Sequence, residues 1–313
     1  MFKSIYNWYP SVPFYYGWLI LIASFFSTFA ATSVAQVVLG GIQIYILEDT
    51  GWSRANFSII IALGTWISGF ISPFVGRLAD KYGPRQMMPL CLLIVALCFF
   101  TIYGFPGFWT FSLGYVIARA LSSPILISIV PGTVAVNFFK KRRGVALSVA
   151  MMSRPVAGAI NVQLIAFITH LYGWRAAYNM LGWFSLILSV PLFVIMRRRP
   201  EDIGLLPDGE SPVEDNTQTV NANEYSWTFS AAIKTSAFWI LAVVGSFVTL
   251  ASSSVQFTLV PYYVEVIGLS KFQSATIFSI GTLLALTTVL WGIVSDKFSP
   301  RLVLVFILIV GAG

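Results

Sequence analysis

The charged residues of this chain are bunched, and between the bunches lie apolar runs of about 20 residues or more, the length that crosses ~30 Å of hydrocarbon as an α-helix. Of the 313 residues, 57% are hydrophobic and 10% charged, whereas a soluble domain carries roughly a quarter charged residues. The excess apolar surface therefore has to face lipid. A membrane β-barrel would show alternating segments of about ten residues instead, so the chain reads as an all-α integral membrane protein. The runs fall at 15–46, 56–75, 87–104, 108–137, 144–170, 176–196, 237–261, 272–293 and 302–313. The first is too long for the apolar core of a cleavable signal peptide and stands as a span. The ninth meets the last residue, Gly313, as expected of a fragment of a longer chain.

The loops between runs alternate in charge. With the N-terminus on the basic side, 14 of the 19 basic residues share that side, including Lys3, Arg85, "KKRR" at 140–143 and Arg197–Arg199. Arg54, Arg175 and Lys271 fall on the other side, and Arg119 and Arg154 lie inside spans. The positive-inside rule places the basic side in the cytoplasm. The net charge of +7 is thus explained by topology, and no nucleic-acid partner is implied. The expected location is the plasma or inner membrane, with the N-terminus and central loop cytoplasmic. Cys91 and Cys98 sit seven apart in one run, about 10 Å along a helix, which suits neither a disulfide nor a metal site.

One long polar stretch, 198–236, is rich in Pro, Gly, Asp and Asn and reads as a linker. It divides the chain into an expected six-helix bundle at 1–197 and a partial bundle at 237–313, holding helices seven to nine. Two marks recur on either side of it. "GRLADKYGPR" at 76–85 and "GIVSDKFSPR" at 292–301 share Gly, Asp, Lys, Pro and Arg at an offset of 216. "GWSRANFS" at 51–58 and "GLSKFQSA" at 268–275 align Gly51 with Gly268, Ser53 with Ser270 and Arg54 with Lys271 at an offset of 217. Two marks in one order at nearly one offset indicate duplicated halves, and a parallel repeat about the membrane normal is a transporter architecture.

These residues resemble the major facilitator superfamily. Its loop between helices two and three carries Gly-x-x-x-Asp-x-x-Gly-x-Arg, matched by Gly76, Asp80, Gly83 and Arg85; the second copy keeps Gly292, Asp296 and Arg301, with Ser299 for the second glycine. "FFKKRRGVA" at 138–146, "YGWRAAY" at 172–178 and "GWSRA" at 51–55 look like the branch of monocarboxylate transporters and oxalate–formate antiporters. The resemblance implies a helical bundle whose first half is complete and whose second is not. It also implies that Asp80 faces helix eleven and that Asp296 faces the start of helix five near Arg143–Val145. Physically, a carboxylate in such a turn can latch the positive end of a neighbouring helix and release it during rocking, or can simply set topology and cap its own helix.

All twelve acids lie in loops or at span ends, so no buried carboxylate is visible for a proton relay. Arg119 is 11 residues into span four and Arg154 is 10 residues into span five, both roughly 15 Å deep. An intramembrane arginine is costly and tends to face a cavity, and its five donors suit a carboxylate. Arg154, with Arg119, is therefore the candidate site for a small organic anion, with Gln36, Gln256 and Asn161 as supporting polar groups. Each of these residues could instead hold helices together through interhelical hydrogen bonds. In the resembled family Arg119 matches the arginine of Arg-x-x-x-Gly-x-Gly, with Ser123 and Ile125 replacing the glycines. Span eight carries no arginine, so the helix-eight carboxylate site of monocarboxylate carriers does not transfer.

There is no G-x-x-x-x-G-K-[ST] phosphate loop, and the one histidine, His170, ends span five without a metal-ligand neighbour. No enzyme, cofactor or resident metal is expected. The expected activity is secondary active transport of a small solute by alternating access, in a monomer, with a co-transported or exchanged ion left open. The alternatives are a carrier of neutral or hydrophobic solutes, with both arginines structural, and a membrane receptor or scaffold that transports nothing.

Overall fold

The structure, a computed structural model, describes residues 13–105, 107–140, 143–209, 231 and 233–287. It is helical throughout these residues. In chain order the long helices are α1 (Tyr16–Thr32), α2 (Gln36–Thr50), α3 (Arg54–Tyr82), α4 (Pro84–Gly104), α5 (Phe108–Phe138), α6 (Arg143–Tyr172), α7 (Trp174–Ile195), α8 (Ser236–Glu265) and α9 (Lys271–Leu283). The six helices α3 to α8 are each long and apolar enough to cross a membrane. The ninth run and the second hinge copy, with Gly292, Asp296 and Arg301, lie outside the described residues.

The boundaries follow from local chemistry. Ser53 and Ser270 cap α3 and α9, each hydroxyl accepting from the backbone N–H three residues on at 3.2 Å, which satisfies one of the helix's orphan donors. Before each cap a glycine takes the left-handed conformation, Gly51 at φ +69° and Gly268 at φ +80°. The equivalent positions of the two sequence copies thus make the same turn. In the first hinge Gly83, at φ +74°, ends α3 and Pro84 opens α4, the order in which glycine and proline suit a helix stop and a helix start.

The first span is not the single helix that the apolar run at 15–46 suggests. It breaks at Ser33–Ala35 between α1 and α2. Two hydroxyls turn back onto the chain there: Thr32 Oγ1 donates to Phe29 O at 2.9 Å and Ser33 Oγ to Ala30 O at 2.6 Å. Such local bonds compete with the helical ladder. A second irregularity lies in α5, where Ser123–Ser128 widens into a π-helical segment. Pro124 has no N–H to continue the ladder, so the bulge forms where the sequence reads Ser-Ser-Pro.

Large apolar side chains cover the outside of the bundle as well as filling its core. On α3, Trp66, Phe70 and Phe74 are 60–75% exposed and lie four residues apart, one apolar stripe facing outward. The opposite face of α3 carries Phe57, Ile60, Gly64 and Ser68 inward. Cys91 and Cys98 lie on the buried face of α4, which packs extensively along α7. Helices α8 and α9 join the earlier ones along two seams, α8 against α2 and α9 against α6. Of α8 only Val260 and Pro261 are buried, close to its Glu265 end. Away from that end α8 is exposed and stands across a cleft of about 830 Å³ from Ser58, Ile61, Ala62 and Thr65 of α3.

Candidate functional site

The two irregular helices face each other. Thr28 Oγ1 of α1 donates to Leu126 O inside the π segment at 3.0 Å, and Tyr115 Oη of α5 donates to Val34 O in the break at 3.0 Å. From α6, the Asn161 amide donates to Phe29 O at 2.6 Å and to Thr32 Oγ1 at 2.7 Å. The break in the first span is thus held open from two neighbouring helices. Broken helices lining a cavity are where transporters place their solutes, and π segments often mark functional sites.

The two sequence-predicted arginines lie on the helices that brace this break, Arg119 on α5 and Arg154 on α6. Arg119 lies one turn beyond Tyr115 on α5 and is buried; its Nε has no hydrogen-bond partner, nor does the neighbouring Ser122 hydroxyl. Its stem packs against α3, where a Cβ added to Gly64 would lie 3.1 Å from Arg119 Cγ. Arg154 is two turns before Asn161 on α6, so it shares that helix face; its side chain is exposed. The two guanidinium groups are close enough to interact electrostatically. Among the described residues neither donates a hydrogen bond to the protein or pairs with a carboxylate.

The supporting residues fare differently. Asn161 is fully buried, with both amide hydrogens committed to α1 and Oδ1 unpartnered. Gln256 presents its backbone carbonyl to α2: a Cβ added to Gly40 would lie 2.5 Å from Gln256 O. The next residue, Phe257, accepts from Gln43 Nε2 at 2.7 Å, so this stretch of α8 belongs to the seam with α2. Gln36 is the first residue of α2, and its side chain lies outside the described parts. Sequence reasoning missed Tyr115, Thr32 and Gly64; the Thr-Ser pair in "AATSVAQ" and the "SSP" of α5 were the available signals.

At the far end of α3 the hinge is built as a tight corner. Arg85 is buried, donating Nε to Phe193 O at 3.0 Å with its guanidinium 5.1 Å from the Phe193 ring. Asp80 is exposed and lines a cavity of about 90 Å³ with Val130, Thr133, Asn137, Arg198 and Arg199. Gly76 lies on the last turns of α3 with open space beside it. Nearby, Tyr15 Oη donates to Phe138 O at 2.7 Å, and burial together with the Asp208 charge pushes its phenol up to about 12.

The profile of the Major Facilitator Superfamily matches residues 20–313, nearly the whole length. The chain belongs to the Major Facilitator Superfamily. Among curated relatives, monocarboxylate transporter 14 of Mus musculus is 24% identical over 205 residues, covering 65% of this chain and 40% of its own length. The glycerol-3-phosphate transporter of Bacillus subtilis is 20% identical over 271 residues, covering 80% of this chain and 59% of its own. The chain therefore spans about half the length of these superfamily members. Among solved structures, an inward-facing, unoccupied bacterial homologue of the human lysosomal transporter Spinster superposes with a TM-score of 0.68 at 18% identity, covering 93% of this chain and 64% of that one. That likeness is one of fold.

Proposed function

We propose that this chain forms the working part of a secondary active transporter that moves a small organic anion, mono- or dicarboxylate-like, by alternating access. Residues 1–197 and 237–313 belong to the two moving units, with 198–236 as a cytoplasmic linker, in a plasma or inner membrane. The observation that carries this reading is a pair of intramembrane arginines that pair with no carboxylate among the described residues, on the two helices that brace a broken first span. Two cations in low dielectric repel each other unless an anion lies between them, and guanidinium donors match a carboxylate's geometry. Arg154 is the primary contact because it is exposed; Arg119 supplies field and a free donor. The relatives named for a monocarboxylate and for glycerol 3-phosphate support an anionic solute.

The test is binding. Oxalate, lactate and succinate should raise the melting temperature of the purified protein, and glycerol and glucose should not. Arg154→Gln should weaken that carboxylate effect by about ten- to a hundredfold, the loss of a charge-assisted hydrogen bond worth about 1.5–3 kcal/mol. Equal stabilisation by charged and uncharged solutes, or no change in Arg154→Gln, would contradict the reading.

A further inference from the structure

The end of the bundle where α8 meets α2 carries two ion pairs that cross between the parts on either side of the linker. Arg54, at the start of α3, pairs with Glu265, at the end of α8; Lys271, at the start of α9, pairs with Glu48, near the end of α2. These four residues are related by the duplication. Glu48 and Glu265 are separated by 217, and so are Arg54 and Lys271, the same offset that aligns Gly51 with Gly268 and Ser53 with Ser270. Each half thus contains one segment of the form Glu-x-x-Gly-x-Ser-(Arg/Lys), "EDTGWSR" at 48–54 and "EVIGLSK" at 265–271. In the fold the base of each copy reaches the acid of the other. This is the reciprocal contact that a two-fold interface produces, residue i meeting j and j meeting i, here inside one chain.

We infer that this repeated segment is a two-part latch that holds this end of the bundle shut, its two ion pairs breaking together when the end opens. The inference rests on the reading that the two units rock against each other. Several features fit a latch rather than a permanent weld. The side chains are 58% and 43% exposed in one pair and 32% and 60% in the other, so water competes for all four and each pair is weak. A reversible closure needs that weakness, since an equilibrium moves only as far as the differential free energy of its ligands allows. The left-handed glycine and the serine cap fix where each base leaves its turn. The adjoining Asp49 is engaged elsewhere, accepting from Arg175 at 2.6 Å and Trp174 at 2.9 Å within the first unit. Lys271 Nζ also lies 5.0 Å from the Tyr45 ring, a second hold from α2 on the same cation.

Nitroxide labels at Asn56→Cys and Ile267→Cys, both exposed positions, read the opening of this end as a distance; the native Cys91 and Cys98 are buried. Measured without any solute, the parent should show a dominant short distance. Arg54→Gln and Lys271→Gln should each lower the closed-to-open ratio by about two- to fivefold, the range of an exposed pair, and together by about the product if the pairs are independent. The swap Arg54→Glu with Glu265→Arg should restore the parent ratio. The swap Arg54→Glu with Glu48→Arg, made within one half, should open the end furthest, because it sets like charges against each other at both contacts. A cross-half swap no better than the single variants, or a within-half swap as closed as the parent, would overturn the latch. Because no solute and no transport enter the measurement, a failure of the anion site leaves this result standing, and the reverse holds.

Discussion

At the scale of single residues, the candidate site depends on where two arginine stems are allowed to lie. Gly64 leaves room for Arg119: any larger residue meets Arg119 Cγ and Cβ at 3.1–3.2 Å before its own side chain is added. Gly64→Val should therefore displace Arg119 and destabilise the protein by about 1–3 kcal/mol, the cost of overpacking a full core, measured as a drop in melting temperature. Gly69, one helix turn and more along α3 with open space around it, is the control and should tolerate Ala. Asn161→Ala should cost about 1–3 kcal/mol by removing both of the amide's bonds to α1, and its carboxylate response should weaken with it because the break is no longer held. Unchanged stability in Asn161→Ala would mean that the break is set by α1 and α2 alone.

The helices were legible in the sequence to different degrees. The starts of α3 and α9, at Arg54 and Lys271, fall within two residues of the apolar runs that open at 56 and 272, whereas α3 carries the hinge residues from Gly76 on to Tyr82, past the run's end at 75. The break in the first span is not legible. Residues 15–46 read as one apolar run because the group that captures Phe29 O and Thr32 is Asn161, more than a hundred residues away. Arg119 and Arg154 were visible as isolated cations in apolar runs, but that their helices brace a broken first span is a product of tertiary packing. The contact made by Gln256 also needed the fold, since its backbone carbonyl is what closely approaches Gly40 of α2. At this scale one contact is sensitive to pH. The Trp174 indole and the Arg175 guanidinium hold the Asp49 carboxyl below its ordinary value of 3.8. A depressed carboxyl stabilises the fold fully above that value, and the contribution disappears as pH falls through the lower folded one. The melting temperatures of the parent and of Asp49→Asn should differ near neutrality and converge on acidification below 3.8; a constant gap would show that the α2–α7 contact does not depend on charge.

At the scale of the whole molecule, α2, α8 and the two paired charges tie one end of the bundle together. Gly40 is the point of closest approach in that closure, where a Cβ would sit 2.5 Å from Gln256 O. Gly40→Leu should force α8 away from α2 and lengthen the distance between labels at positions 56 and 267, whereas a change that leaves this distance alone would place the tight contact elsewhere. The proposed carrier moves an anion across the membrane through a site made by Arg154 and Arg119. The most direct measurement is counterflow in proteoliposomes: the purified protein is loaded with unlabelled carboxylate inside and given a trace of labelled carboxylate outside. The expected result is transient accumulation of label that depends on internal carboxylate, ignores internal glucose and vanishes in Arg154→Gln. Binding without accumulation, or accumulation that Arg154→Gln leaves intact, would contradict it.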